Sequence, residues 1–140
     1  MSENELFKNK IICITHILNI NMLRITTKSA YTTYDGICST IKSVIFIPMQ
    51  DIQTVCSESS QPSAELNKNF RDSVSRDAAY VRLKLNMKKG DNLTYALLYK
   101  YIHVYPLEHI PDFDKTSEIV ELLALELNIL IYEIKGIQNE

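Results

Sequence analysis

From Tyr80 to Met87, the residues Val81, Leu83, Leu85 and Met87 alternate with Tyr80, Arg82, Lys84 and Asn86. A period of two places one set on each face of an extended chain, so this stretch is a half-buried strand. Lys88-Lys89-Gly90-Asp91-Asn92 follows as a loop, and Leu93 to Tyr105 returns as a longer strand. The two predict an antiparallel hairpin. A five-residue loop sets Met87 opposite Leu93, Leu85 opposite Tyr95, Leu83 opposite Leu97 and Val81 opposite Tyr99. A slip of one residue would set apolar against polar throughout. In that register Tyr95 and Tyr99 are core residues with their hydroxyls at the rim. Arg82 then lies beside Leu98, and Lys84 beside Ala96, on the outer face.

The preceding chain adds more strands. Lys10 to Leu18 (KIICITHIL) is rich in β-branched residues, Asn19-Ile20-Asn21 offers turn chemistry, and Met22 to Thr27 (MLRITT) resumes, which predicts a hairpin. Tyr34-Asp35-Gly36 is a turn. Ile37 to Ile41 and Ser43 to Ile47 read as one or two strands stopped by Pro48, and Asp51 to Cys56 as a short edge strand. Ser57 to Ser63 is a polar loop. Ser63 can cap a short helix, Ala64 to Ser75, whose Leu66, Phe70 and Val74 recur every fourth residue.

The last element is a helix from Lys115 to Ile134. Asp114 or Thr116 suits its cap, Glu118 and Glu121 its positive N-terminal end, and Gly136 its C′ position. Ile119, Leu122, Leu123, Leu127, Leu130 and Ile134 form the expected inward stripe, widened by Val120, Ala124 and Ile131. Leu125, Ile129 and Tyr132 lie toward the other side. That arc is broader than one helix needs to cover one sheet. Each large side chain left in water forgoes roughly 1.5–3 kcal/mol of burial. Leu125, Ile129 and Tyr132 are therefore candidate partner-binding residues.

The fold class expected is α+β: a single antiparallel β-sheet built from hairpins. One face is packed by the C-terminal helix and the short mid-chain helix. At 140 residues, 46% hydrophobic and 23% charged, the chain reads as one domain, 1–140, with the 57–63 loop inside it. The net charge is −2, with lysine and arginine scattered. Phosphate backbones need clustered cations, so direct nucleic-acid binding is not expected. No apolar run spans a bilayer and the N-terminus lacks a signal-peptide pattern, so the expected location is cytoplasmic or nuclear, without a membrane. Three widely spaced cysteines, Cys13, Cys38 and Cys56, read as reduced and mostly buried.

No pattern carries catalysis. Two histidines six apart, His103 and His109, match no zinc spacing, and Asp112-Phe113-Asp114 lacks the rest of a calcium loop. Cys13 and His16, three apart on a strand, point to opposite faces. With three glycines in the chain there is no phosphate-cradling loop or dinucleotide fingerprint. No catalytic, cofactor-binding or metal-binding residue is expected, and no cofactor. The alternative is a composite pocket of Tyr101, His103, Tyr105 and His109. An interaction surface fits better: Tyr101, His103 and Tyr105 prolong the second strand beyond Tyr80, leaving an aromatic edge for another chain. The same edge could instead pair with the N-terminal hairpin.

The order hairpin, strands, helix, long hairpin and C-terminal helix resembles the small proteasome assembly chaperones. KIICITHIL and NMLRITT are similar to that family's opening strands, and the late hairpin and final helix extend the likeness. Lys28 to Ser75 does not align, and Lys28-Ser29-Ala30 stands where the family commonly has a glycine. The resemblance implies a non-catalytic chain, working as a hetero- or homodimer, that binds 20S proteasome α-subunits during ring assembly. LTYALLYKYIHVYP is also similar to the closing strand of the small non-catalytic subunit of the eukaryotic tRNA-splicing endonuclease. Gly90-Asp91-Asn92, Tyr95, Tyr99, Lys100 and Pro106 carry that match. That subunit usually ends soon after the proline, whereas this chain adds a long helix. Both resemblances imply an α+β subunit that acts by pairing with another chain.

Overall fold

The computed structural model describes residues 3–60, 77–102 and 112–138. Along the chain run β1 (Glu3–Lys8), β2 (Ile12–Ile17), β3 (Met22–Thr32) and β4 (Cys38–Pro48). A 3-10 turn (Met49–Asp51), β5 (Ile52–Ser60), β6 (Asp77–Met87), β7 (Asn92–Ile102) and one helix, α1 (Phe113–Gln138), follow among the described residues. The protein is α+β, as expected. Its strands form two sheets rather than one, ordered β1-β2-β3-β4 and β5-β6-β7. Pro48 and the turn after it end β4 and redirect the chain, so β5 opens a new sheet. The expected helix Ala64 to Ser75 lies outside the described residues. Two compact units result: Met1–Gln53 with Ile129–Glu140, and Thr54–Asn128.

In the first unit, β2 and β3 form the expected hairpin, with Ile14 opposite Ile25 and His16 opposite Leu23. The turn between them holds Asn21 at φ 48, a left-handed conformation that asparagine tolerates. Ile12, Ile14, Leu23, Ile25 and Ile47 make the buried face. The strand β1 was not anticipated, because Glu3, Glu5 and Lys8 hide its pattern. Those charges, and a bulge at Leu6, suit a sheet edge. Its turn into β2 is closed by Asn9, whose Oδ1 accepts from the backbone N–H groups of Ile11 and Ile12 at 2.9 Å each.

His16 is 3% exposed, and neither ring nitrogen has a hydrogen-bond partner among the described residues. An unsatisfied buried polar group costs roughly 1–3 kcal/mol. His16→Leu is therefore expected to raise stability in urea unfolding by part of that amount. A loss of stability would show that the imidazole has a bonding role. Cys13 lies on the opposite face, where its thiol donates to Glu5 Oε1 at 3.7 Å, so the pairing with His16 is excluded as the spacing implied.

The β3–β4 hairpin keeps one register from Met22↔Pro48 to Thr32↔Cys38, so the two short runs are one strand. At its tip Gly36, at φ 83, closes the turn, and its N–H donates to the Thr33 carbonyl at 2.9 Å. The Thr33 hydroxyl donates to Asp35, and that bond, with the backbone N–H groups of Asp35 and Ile37, holds the carboxyl below its ordinary 3.8. The folded value is lowered, so the contribution is present above 3.8 and is lost as pH falls through the lowered value. Amide exchange at Gly36 and Ile37 should accelerate over that acid range, and Asp35→Asn should abolish the dependence.

In the second unit the hairpin β6–β7 forms with Leu85 opposite Leu93 and Leu83 opposite Tyr95. The loop is shorter than expected: Gly90, at φ 101, donates to Met87, and Met87 donates to Asp91. The offset therefore shifts by two, which preserves the faces near the turn. A bulge at Leu97 then lets Val81 meet Leu98 and Arg82 meet Ala96. That extra residue inverts the rest of β7. Tyr99 falls opposite Tyr80 and is 51% exposed, so its expected place in the core is corrected. Tyr95 stays half-buried, and burial raises its hydroxyl above the ordinary tyrosine value.

The inner face of this sheet carries Val55, Val81, Leu83, Leu85 and Leu97. Val120, Leu123, Ala124 and Leu127 of α1 are its helical counterpart. The buried stripe is rotated from expectation, since Ile119 and Leu122 are exposed and the smaller Val120 and Ala124 turn inward. Asn128 fixes the helix to β5. Its Nδ2 donates to the Val55 carbonyl at 2.7 Å and its Oδ1 accepts from the Val55 N–H at 2.8 Å. The side-chain amide thus stands in for a neighbouring strand at that point of the sheet edge. The outer face is polar: Arg82 and Lys84 meet Glu58 at 3.1 and 3.8 Å, and Arg82 stacks 4.2 Å over Tyr80. Ser57 to Ser60, expected in a loop, belong to β5.

Candidate interaction surfaces

The helix α1 begins at Phe113, with Thr116 N–H donating to the Asp112 carbonyl at 2.8 Å. Asp114 therefore occupies the first turn, where a carboxylate suits the helix dipole. The helix runs through Gly136 to Gln138, so Gly136 is not its terminator.

Along one side of α1, Leu122, Leu125, Ile129 and Tyr132 are 66%, 58%, 51% and 79% exposed. Their spacing of three, four and three keeps them in one line on a helix, a ridge of about 15 Å at 1.5 Å per residue. Leu125, Ile129 and Tyr132 are thus exposed as expected, and Leu122 joins them. Single exposed apolar residues are ordinary, whereas a contiguous row is not.

Sequence reasoning missed a second surface. Strand β4 borders the first sheet and exposes Ile41 and Ile45 on one face and Val44 and Phe46 on the other. Edges are usually blunted by charge, proline or a bulge. Between Cys38 and Ile47 this one has a single charge, Lys42, and no register shift. The signal was present in SVIFI, whose unbroken apolar run reads equally as a buried strand.

The aromatic edge expected from Tyr101, His103 and Tyr105 is only partly visible. The backbone of Tyr101 lies opposite Ala78, and β6 continues to Asp77, opposite Ile102. Tyr101 therefore does not overhang its partner. It belongs to β7, which borders the second sheet. His103, Tyr105 and His109 lie outside the described residues, as does the pocket they were weighed for.

Among the described residues, no group of three histidine, cysteine or carboxylate side chains is placed to hold a metal ion. All three cysteines are free. Cys38 and Cys56 are exposed and Cys13 is half-buried, which corrects their expected burial. A shallow depression beside the β1–β2 turn is lined by Lys8, Lys10, Cys13 and Lys28. No described helix is long and apolar enough to cross a membrane. Comparison with known protein families, with curated proteins and with solved structures finds no match for this chain.

Proposed function

We propose that the chain is a non-catalytic interaction subunit that pairs with a homologous or unrelated protein in the cytoplasm or nucleus. Its finer role would be that of an assembly chaperone for 20S proteasome α-subunits. The observation that carries the reading is the apolar row Leu122, Leu125, Ile129 and Tyr132 left in water on α1. The bare edge of β4 supports it. Each is costly to expose and each has the form of a recognised docking mode, helix against helix or strand against strand. The order of hairpins and final helix supports the chaperone role.

The test is co-expression of the full chain with individual 20S α-subunits, followed by size-exclusion chromatography with light scattering. Stable co-elution with an α-subunit is expected. Elution of the chain alone in every pairing would remove the chaperone role. A monomer whose exposed apolar residues can be changed to serine without affecting any association would remove the interaction reading.

A further inference from the structure

The exposed row on α1 also says what kind of surface it fits, an inference that rests on the interaction reading above. In heptad terms Leu122 and Ile129 occupy a positions, and Leu125 and Tyr132 occupy d positions. The exposed charged residues around that seam, among those whose burial is described, are Asp114, Lys115, Glu118, Glu121, Glu126 and Glu133, five carboxylates against one lysine. In the same heptad Glu121, Asn128 and Lys135 fall at g positions and Glu126 and Glu133 at e positions, the positions that set partner choice in paired helices.

A second copy complements such a face only in part. A parallel pairing sets Glu121 against Glu126 of the other copy. An antiparallel pairing that overlays the row on itself sets Glu121 against Lys135 but Glu126 against Glu126. Each leaves carboxylates facing one another beside the seam, which a partner with cations on both flanks would not. We infer that this face docks a helix of another protein, one whose apolar seam is flanked by lysine or arginine. The geometry of the seam belongs to one continuous helix, Phe113–Gln138, and so depends on nothing outside it.

The experiment uses the full chain and two synthetic amphipathic peptides with the same leucine and isoleucine seam. One peptide carries lysine at its flanking positions and the other glutamate. Binding is read by fluorescence anisotropy at low and high salt, with circular dichroism to establish that each variant is folded. The lysine peptide should bind about tenfold or more tightly than the glutamate peptide, with a gap that narrows as salt screens the charges. Leu125→Ser with Ile129→Ser should weaken it by about tenfold or more. Glu126→Lys with Glu133→Lys, which leaves the seam intact, should invert the preference.

Equal binding of the two peptides, or no inversion in the charge variant, overturns the inference. So does a homodimer in sedimentation that the serine variant dissolves. An α-subunit complex that survives the serine variant overturns this docking surface while leaving the interaction reading in place. A chain that binds neither peptide nor any α-subunit removes both.

Discussion

Asn128→Leu is expected to lower the unfolding free energy by about 2–5 kcal/mol, because it strips both the donor and the acceptor from the backbone of Val55. Val55 is buried, so water cannot readily replace the lost bonds. Leucine is a better helix former than asparagine by a few tenths of a kcal/mol, too little to compensate. Asn128→Asp is the sharper variant. It keeps size and shape but offers no donor, and it sets a carboxylate against the Val55 carbonyl. It should destabilise at least as much at neutral pH and recover on acidification, when the protonated acid can donate again. Urea unfolding and amide exchange at Val55 measure both effects. A change below about 0.5 kcal/mol for both variants would mean that the clamp contributes little.

Leu127→Ala should cost about 2–5 kcal/mol, the usual range for emptying a leucine site in a packed interior. Leu127 is fully buried, while Leu125, two residues away, is 58% exposed. Leu125→Ala should change stability by no more than about 0.5 kcal/mol. The contrast is the content of the prediction, since both leucines have the same helix propensity and lie within one turn. Equal costs would place the two on equally buried faces and dissolve the exposed seam. Thermal and urea unfolding of the two variants, with and without the lysine-flanked peptide, separate the roles: Leu127 for folding, Leu125 for docking.

Periodicity made the hairpins and the helix legible, and the reasons for its failures are local. The β6 alternation is strict, so its faces were readable, but the bulge at Leu97 has no glycine or proline to announce it. Tyr99 was misplaced for that reason. The helix gave the right element and a rotated face. Apolar residues surround most of its circumference, and pattern alone cannot say which part a sheet will take. Asn128 was overlooked, although a lone asparagine in LELNILIY is a poor helix former in an apolar stretch, a signal of a specific bond. The candidate site was half legible. Excess apolar surface pointed to Leu125, Ile129 and Tyr132, whereas SVIFI looked like ordinary core.

Each compact unit takes its share of α1, Ile129 onward for one and the stretch up to Asn128 for the other. The ribosome makes that helix after the seven described strands. During synthesis the β5-β6-β7 sheet therefore waits, its greasy side uncovered, until α1 emerges. Until then it would be a client for general holding factors, and a nonsense codon between Ile102 and Leu123 would leave it without that cover, for the cell to degrade.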